Sequence, residues 1–398
     1  MKQHKRFSIC ILGLGYIGLP TASLLATVGN SVYGVDVKGS VIDAVNSGEG
    51  YLNEPDLNTL IRGSVASGNL LAGERPREAE VFMIAVPTPF KENKEPDLAS
   101  VEKAVRALAP CLRKGNLVIL ESTSPVGTTE EVVGRILQEE TGLVPGEDFY
   151  LAYCPERVLP GQIVKELISN DRVLGGINPE SAERAAELYR TFVQGELVLT
   201  DCRTAEMCKL VENAYRDVNI AFANEISMIC SRHGVNEREL IRYANRHPRV
   251  NILSPGPGVG GHCIAVDPWF LVAKDPDLAS LVRTAREVNM RKQSWVIDQI
   301  CANEPKSRSI GCFGLTYKPD VEDLRESPAL EIARALQKEG YPVYCCEPNC
   351  SEVEGLTLCS LEETLEKSDL LLFLVAHREF RGLSLPQGKK VLDCVGIL

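Results

Sequence analysis

At 398 residues the chain exceeds one ordinary domain and points to two or three. Lys plus Arg number 43 against 54 Asp plus Glu, a net charge of −11 with no clustered basic tract, which excludes non-specific nucleic-acid binding. The basic start at residues 1–6 runs into an apolar stretch that breaks at Gly13. That stretch is too short to cross a bilayer and carries no cleavage-type site, so a cytoplasmic protein with no membrane partner is expected.

Residues 7–12 read as a short buried strand, followed at once by Gly13-Leu14-Gly15-Tyr16-Ile17-Gly18 and by a helix-spaced apolar run over 19–28. Six-residue glycine patterns arise by chance in a chain with 32 glycines, but strand, glycines and helix in this order form a dinucleotide fingerprint. The glycines serve a tight turn, close approach to a pyrophosphate and helix-to-strand packing, while the helix amino terminus faces the phosphates. A second strand over 31–35 ends in Asp36, about 20 residues on, where a carboxylate bonds the ribose 2′-hydroxyl and repels a 2′-phosphate. NAD is therefore expected over NADP.

Strands and helices alternate to about residue 200, as in a doubly wound parallel sheet. Buried strands over 81–86 and 117–120 end at Pro87-Thr88-Pro89 and Glu121-Ser122-Thr123. Ligands bind at strand carboxyl ends in such sheets, so Thr88 and Thr123 are cofactor candidates, with turn or helix capping an equal alternative.

A helical stretch over 204–233, free of Pro and Gly, follows. Lys209, Asn213, Arg216 and Ile220 share one face; Leu210, Val211, Ala214, Val218, Ala221 and Phe222 supply the apolar surface behind it. The polar stripe reads equally as a solvated face or a cleft wall, and a helix of this length can pair with a copy of itself.

The last third repeats the first in outline: a strand over 309–314, the loop Leu315-Thr316-Tyr317-Lys318-Pro319-Asp320, a helix over 328–337, a strand over 341–346 ended by Glu347, and a last strand over 391–395. Only Gly311 and Gly314 stand where a glycine fingerprint belongs, so this part is expected to bind something other than NAD. The fold expected is α/β, two Rossmann-like doubly wound domains joined by a long central helix: 1–200 for NAD, 201–300 central and dimerising, and 301–398 for the substrate nucleotide.

Fourteen cysteines need an account. They are spread among apolar elements, where reduced thiols act as small hydrophobes, and Cys10, Cys111, Cys230, Cys312 and Cys394 are expected in cores. Cys345, Cys346 and Cys350 lack a second CxxC or nearby histidines, so no metal site is expected. Cys263 differs, because it closes the glycine-rich run 255–263. A nicotinamide enzyme oxidises an alcohol without a nucleophile, but taking the aldehyde on to the acid is easier through a thiol adduct. Cys263 thus hints at a double oxidation.

Several motifs together resemble the UDP-glucose/GDP-mannose dehydrogenase family from the fingerprint almost to the last residue. They are the fingerprint with Leu19-Pro20, Ser122-Thr123-Ser124-Pro125-Val126-Gly127, Tyr153-Cys154-Pro155-Glu156-Arg157, Glu206-Met207-Cys208-Lys209-Leu210-Val211-Glu212-Asn213, and Gly260-Gly261-His262-Cys263. The residues after the cysteine, Ile264-Ala265-Val266-Asp267-Pro268-Trp269-Phe270, together with Asn245-Arg246-His247-Pro248-Arg249-Val250-Asn251, resemble most the branch that oxidises UDP-N-acetyl-D-mannosamine. The resemblance implies a four-electron oxidation of a sugar C6 hydroxyl by NAD, through a thiohemiacetal and a thioester on Cys263. Cationic neighbours would raise its thiolate fraction.

By resemblance, Lys209 stabilises the developing alkoxide, Asn213 orients substrate or water, and Asp267 and Glu156 act around the thiol and the hydrolytic water. Cofactor contacts fall to Gly13, Gly15, Tyr16, Ile17, Gly18, Asp36, Thr88, Thr123 and, from the last domain, Arg325. Substrate contacts fall to Arg157, Val158, Lys209, Asn213, Arg216, Gly260, Tyr317 and Lys318, with His247 and Arg249 reaching a partner subunit's nucleotide in a homodimer or higher oligomer. Other nucleotide sugars (UDP-N-acetylglucosamine, UDP-glucose, GDP-mannose), a plain two-electron dehydrogenase and a non-catalytic NAD-binding regulator are the alternatives.

Overall fold

The computed structural model describes residues 5–398 except 53, 55, 160 and 262. The chain divides into two compact units, 1–211 and 212–398.

The first unit is built on strands Ser8–Leu12 (β1), Ser31–Val35 (β2), Leu70–Gly73 (β3), Val81–Ile84 (β4), Leu117–Leu120 (β5), Tyr150–Tyr153 (β6), Arg172–Gly176 (β7) and Leu197–Asp201 (β8). They form one sheet in the order β3-β2-β1-β4-β5-β6-β7-β8. Alternate residues enter different cores: Ile9 and Ile11 of β1 pack with Val81 and Met83 of β4 on one face, while Cys10 and Leu12 pack with Phe82 and Ile84 on the other. Burial on both faces explains why these strands read as continuous apolar runs.

One expectation is corrected. The sheet is parallel except between β6 and β7, which pair antiparallel with Ala152 opposite Gly176 and Tyr153 opposite Gly175. The connection holds only the short helix Ile163–Ser169, so the chain enters β7 at the edge where it left β6. β8 then runs parallel to β7.

The second unit carries strands Ile310–Phe313 (β9), Val343–Cys346 (β10), Leu370–Phe373 (β11) and Lys390–Asp393 (β12), all parallel, in the order β10-β9-β11-β12. Phe313 and Phe373 stack at 4.6 Å on one face of this sheet.

Helix Cys202–His233 follows β8 directly, and Ser280–Asn303 is the other long helix. The apolar surface assigned to the first is corrected too: Leu210, Ala214 and Ala221 are buried, but Val211 and Phe222 are 49% and 51% exposed. Its buried side mixes these apolar residues with polar ones, Glu206, Lys209, Asn213, Asp217, Asn224 and Ser227. These find partners. Asp217 meets Arg286 at 2.6 Å, Asn289 donates to Asp217, and Asn224 donates to Asn289 Oδ1 at 2.9 Å. Buried polar groups so satisfied fix one register between two helices, where apolar contacts alone tolerate sliding. The fourteen cysteines are thiols rather than disulfides, and Cys111 and Cys394, expected in cores, are half-buried.

Candidate active site

The fingerprint glycines sort by what surrounds them. Gly13 has φ +94°, and a Cβ there would stand 2.6 Å from Ala85 O; a Cβ on Gly18 would stand 1.8 Å from Gly13 O. Those two close the turn and the helix packing. Gly15 has nothing within 4 Å of its would-be Cβ, so its backbone is bare to an approaching group. Helix Gly18–Thr27 starts without a side-chain cap or an acid in its first turn, which leaves its N–H groups to an anion. Ile17 is its N-cap residue, and Tyr16 packs partly buried against the core.

Asp36 follows β2 and is held by two backbone donors, Leu14 N and Lys38 N, each at 3.0 Å. Tyr51 donates to Leu14 O, and burial, with help from Asp36 and Tyr16, pushes its phenol up to about 12. Bare backbone, uncapped helix start and anchored carboxylate suit a dinucleotide. They meet where β1 and β4 part to opposite sides of the sheet, the crevice such ligands use.

Beside them, Thr88 donates to Thr123 O at 2.6 Å, tying the loops after β4 and β5 together. The second loop is fixed from below by Glu206, a residue whose role spacing did not suggest. Its buried carboxylate accepts from Gly127 N at 2.5 Å, Thr129 N at 2.8 Å and Thr129 Oγ1 at 2.7 Å. Burial raises its pKa against these bonds.

After β6, Glu156 is buried and accepts from Arg157 N through Oε1 at 2.7 Å. Lys209, 8% exposed, donates to Glu156 O at 2.8 Å, so the long helix delivers a buried ammonium to this loop rather than a solvated one. Arg157 donates to Asp171 O, and Val158 packs against the core.

In the second unit, Cys263 is half-buried on the turn entering helix Asp267–Lys274, and its carbonyl accepts from Val266 N at 3.0 Å and Asp267 N at 2.8 Å. Asn213 donates to Asp267 Oδ2 at 2.5 Å, both side chains buried. His262 lies outside the described residues. Gly261, with φ +84°, has its would-be Cβ 2.7 Å from the Tyr317 ring, and that of Gly260 is 2.4 Å from Glu326 O. Upstream, Asn224 Oδ1 holds Gly256 N at 2.9 Å, so the buried network of the long helix also anchors the glycine run.

Tyr317 and Lys318 line a cavity of about 150 Å³ with Pro257, Gly258, Pro328 and Val375. It opens beyond the carboxyl ends of β9 and β11, where strand order reverses, beside the start of helix Pro328–Lys338. Arg325 is paired with Asp323 at 2.6 Å, and Arg216, His247 and Arg249 are exposed. Glu347 does not project like Asp36: it is buried, bonded to Leu315 N at 2.7 Å and to His377 Nε2 at 3.1 Å.

Sequence profiles of three domains of one family match in succession: an NAD binding domain over 7–193, a central domain over 203–291 and a UDP binding domain over 311–398. The chain belongs to the UDP-glucose/GDP-mannose dehydrogenase family. It is an NAD-dependent nucleotide-sugar dehydrogenase. It is 52% identical to the UDP-N-acetyl-D-mannosamine dehydrogenase of Escherichia coli strain K12, covering 95% of each chain. It is 50% identical to the NDP-N-acetyl-D-galactosaminuronic acid dehydrogenase of Ralstonia nicotianae, over 98% of this chain and 96% of that one. A solved UDP-N-acetyl-mannosamine dehydrogenase from S. aureus superposes with a TM-score of 0.90 at 42% identity, over 98% of this chain and 95% of that one. No helix among the described residues is long and apolar enough to cross a membrane.

Proposed function

We propose that this dehydrogenase converts UDP-N-acetyl-D-mannosamine to UDP-N-acetyl-D-mannosaminuronate, a four-electron oxidation at C6. The observation that carries the reading is Cys263 at the entry to a helix whose first residue, Asp267, is bonded to Asn213. A two-electron enzyme has no use for that thiol. The sugar identity draws on residues 264–270 and on the names of the E. coli and S. aureus relatives.

Bound NAD supplies the hydride acceptor, and two are consumed per sugar. Gly13, Gly15, Tyr16, Ile17, Gly18, Asp36, Thr88, Thr123 and Arg325 hold it. Lys209 has one N–H fixed on Glu156 O and further donors to give to the C6 oxygen as it gains charge. Cys263 sulfur adds to the aldehyde carbon to give the thiohemiacetal. Once this is oxidised to the thioester, water adds to the carbonyl and the C–S bond breaks. Glu156 takes the proton of that water, while Asp267 and Asn213 keep the thiol and the substrate aligned. Tyr317, Lys318 and Gly260 take the uridine diphosphate with Arg157, Val158 and Arg216; His247 and Arg249 serve a neighbouring subunit's nucleotide.

The working form is a homodimer in the cytoplasm. Tyr215, Phe222 and Ile229 form an exposed stripe on the long helix, 64%, 51% and 48% exposed, which suits pairing with its copy. Fourteen cysteines kept as thiols suit a reducing compartment.

The test is turnover of purified protein on UDP-N-acetylmannosamine, UDP-N-acetylglucosamine, UDP-glucose and GDP-mannose, counting NADH per sugar. Two NADH per UDP-N-acetylmannosamine is the expected result. One NADH per sugar, or full four-electron turnover by Cys263→Ser, would end the proposal.

A further inference from the structure

A buried set of charged groups lies beneath the loop after β6, and the roles above leave most of it unused. Continuing the antiparallel register of β6 and β7 past Tyr153 and Gly175 brings Arg172 alongside Glu156. The Arg172 side chain is 4% exposed, and its Nη1 lies 2.9 Å from Glu156 Oε2. Nη1 also reaches Cys154 Sγ at 3.8 Å, Nη2 donates to Leu167 O at 3.2 Å, and the guanidinium lies 5.1 Å from the Tyr189 ring centre.

A second carboxyl shares this field. Glu121, which follows β5, is buried and accepts from Tyr189 OH at 2.5 Å, while its Oε2 finds no hydrogen-bond partner among the described residues. We propose that Arg172 is a positioning residue for Glu156, and that Glu121 competes with Glu156 for its charge. The inference rests on the role given to Glu156 above.

One guanidinium cannot neutralise two buried carboxylates, so burial favours leaving a proton on the one it does not touch. Burial accordingly pushes Glu121 up to about 7, against the Tyr189 hydrogen bond and the charge of Arg172. The other groups facing the set are Cys154, whose thiol burial pushes up to about 12, Tyr189, held well above its ordinary value by burial, and the Lys209 ammonium on Glu156 O. When Glu121 ionises, Arg172 is shared and its hold on Glu156 weakens. When Glu121 carries its proton, Arg172 belongs to Glu156 and aims it.

Two measurements test this. In the ligand-free protein, infrared titration follows the carboxyl stretch that disappears in Glu121→Gln; in Glu156→Gln its midpoint should fall by about one unit, because Arg172 then serves Glu121 alone. An unmoved midpoint overturns the competition. In the pH profile of kcat, Glu121→Gln should remove an ionisation near neutrality while both KM values stay within about twofold, and Arg172→Gln should lower kcat by about tenfold or more. A Glu121→Gln profile that superimposes on wild type overturns the proposal even if Arg172→Gln fails to fold. Wild type inactive on every nucleotide sugar would instead sink the functional reading, since the infrared midpoint needs no substrate.

Discussion

Lys209 offers the sharpest separation between a catalytic cation and a structural one. Its ammonium is buried and spends one N–H on Glu156 O at 2.8 Å. Lys209→Ala removes that charge-assisted bond, which contributes about 1.5 to 3 kcal/mol to stability. It also removes the donor to the C6 oxygen, and losing such a donor raises a barrier by about 2.7 to 4 kcal/mol, a fall in kcat of about 100- to 1000-fold. Lys209→Met keeps most of the stem volume and so separates packing from charge. Steady-state NADH formation at saturating NAD and sugar, with thermal unfolding of both variants, reads the two effects apart. The expected pattern is a collapse of kcat in both variants with a modest change in KM. A Lys209→Met enzyme within about threefold of wild-type kcat would show that the ammonium only ties the long helix to the Glu156 loop.

Gly15→Ala should leave the melting temperature unchanged, since its Cβ meets nothing within 4 Å, yet weaken NAD binding about tenfold or more by calorimetry. Undiminished affinity would show that no phosphate approaches there. Gly18→Ala puts a Cβ 1.8 Å from Gly13 O, so both melting temperature and affinity should drop; a variant as stable as wild type would contradict the packing described. Glu206→Gln leaves at least one of three donors facing an amide N–H, and should lower the melting temperature by about 5 °C, checked by calorimetric scanning. Glu121 has a folded-state pKa of about 7 against an ordinary 4.5, so the unfolded chain gives up this proton first as pH rises. Its linked contribution is lost between those values and amounts to roughly 3 kcal/mol. Glu121→Gln should therefore lose less stability than wild type from pH 4.5 to 8 in urea melts, and parallel curves would refute that pKa.

The dinucleotide crevice was legible because each of its parts is local in the chain: a strand, three glycines, a helix and a carboxylate at the end of the next strand. The same holds for the outline of the second unit and for Lys209 and Asn213 as a stripe on one helix face, whereas Asp267 and Glu156 became candidates only through the resemblance to the family. What sequence could not give is direction and depth. Nothing in Asn170-Asp171-Arg172-Val173-Leu174-Gly175-Gly176 gives the direction of β7 or marks Arg172, which follows two polar residues, as buried. Its burial comes from the reversal that sets it beside Glu156. Periodicity also put Val211 and Phe222 on the long helix's buried side, whereas both are exposed and polar residues such as Asn213, Asp217 and Asn224 share that side with Leu210, Ala214 and Ala221. Acidic Glu206 and Asp217 gave no signal because their partners, Thr129 and Arg286, lie more than sixty positions away in the chain.

The reversal at β7 also turns the following helix into a measuring rod. Through β7, the end of β8 at Asp201 is level with Ala152 of β6, so helix Cys202–His233 sets out from just below the loop after β6 and rises toward it. At about 1.5 Å per residue it has risen roughly 10 Å when it reaches Lys209, which is where Glu156 O receives the ammonium. Height and bearing of that cation are therefore counted in residues from Asp201. One residue added in between would lift Lys209 by about 1.5 Å and swing it about 100° off its mark, with every side chain of the loop still in place.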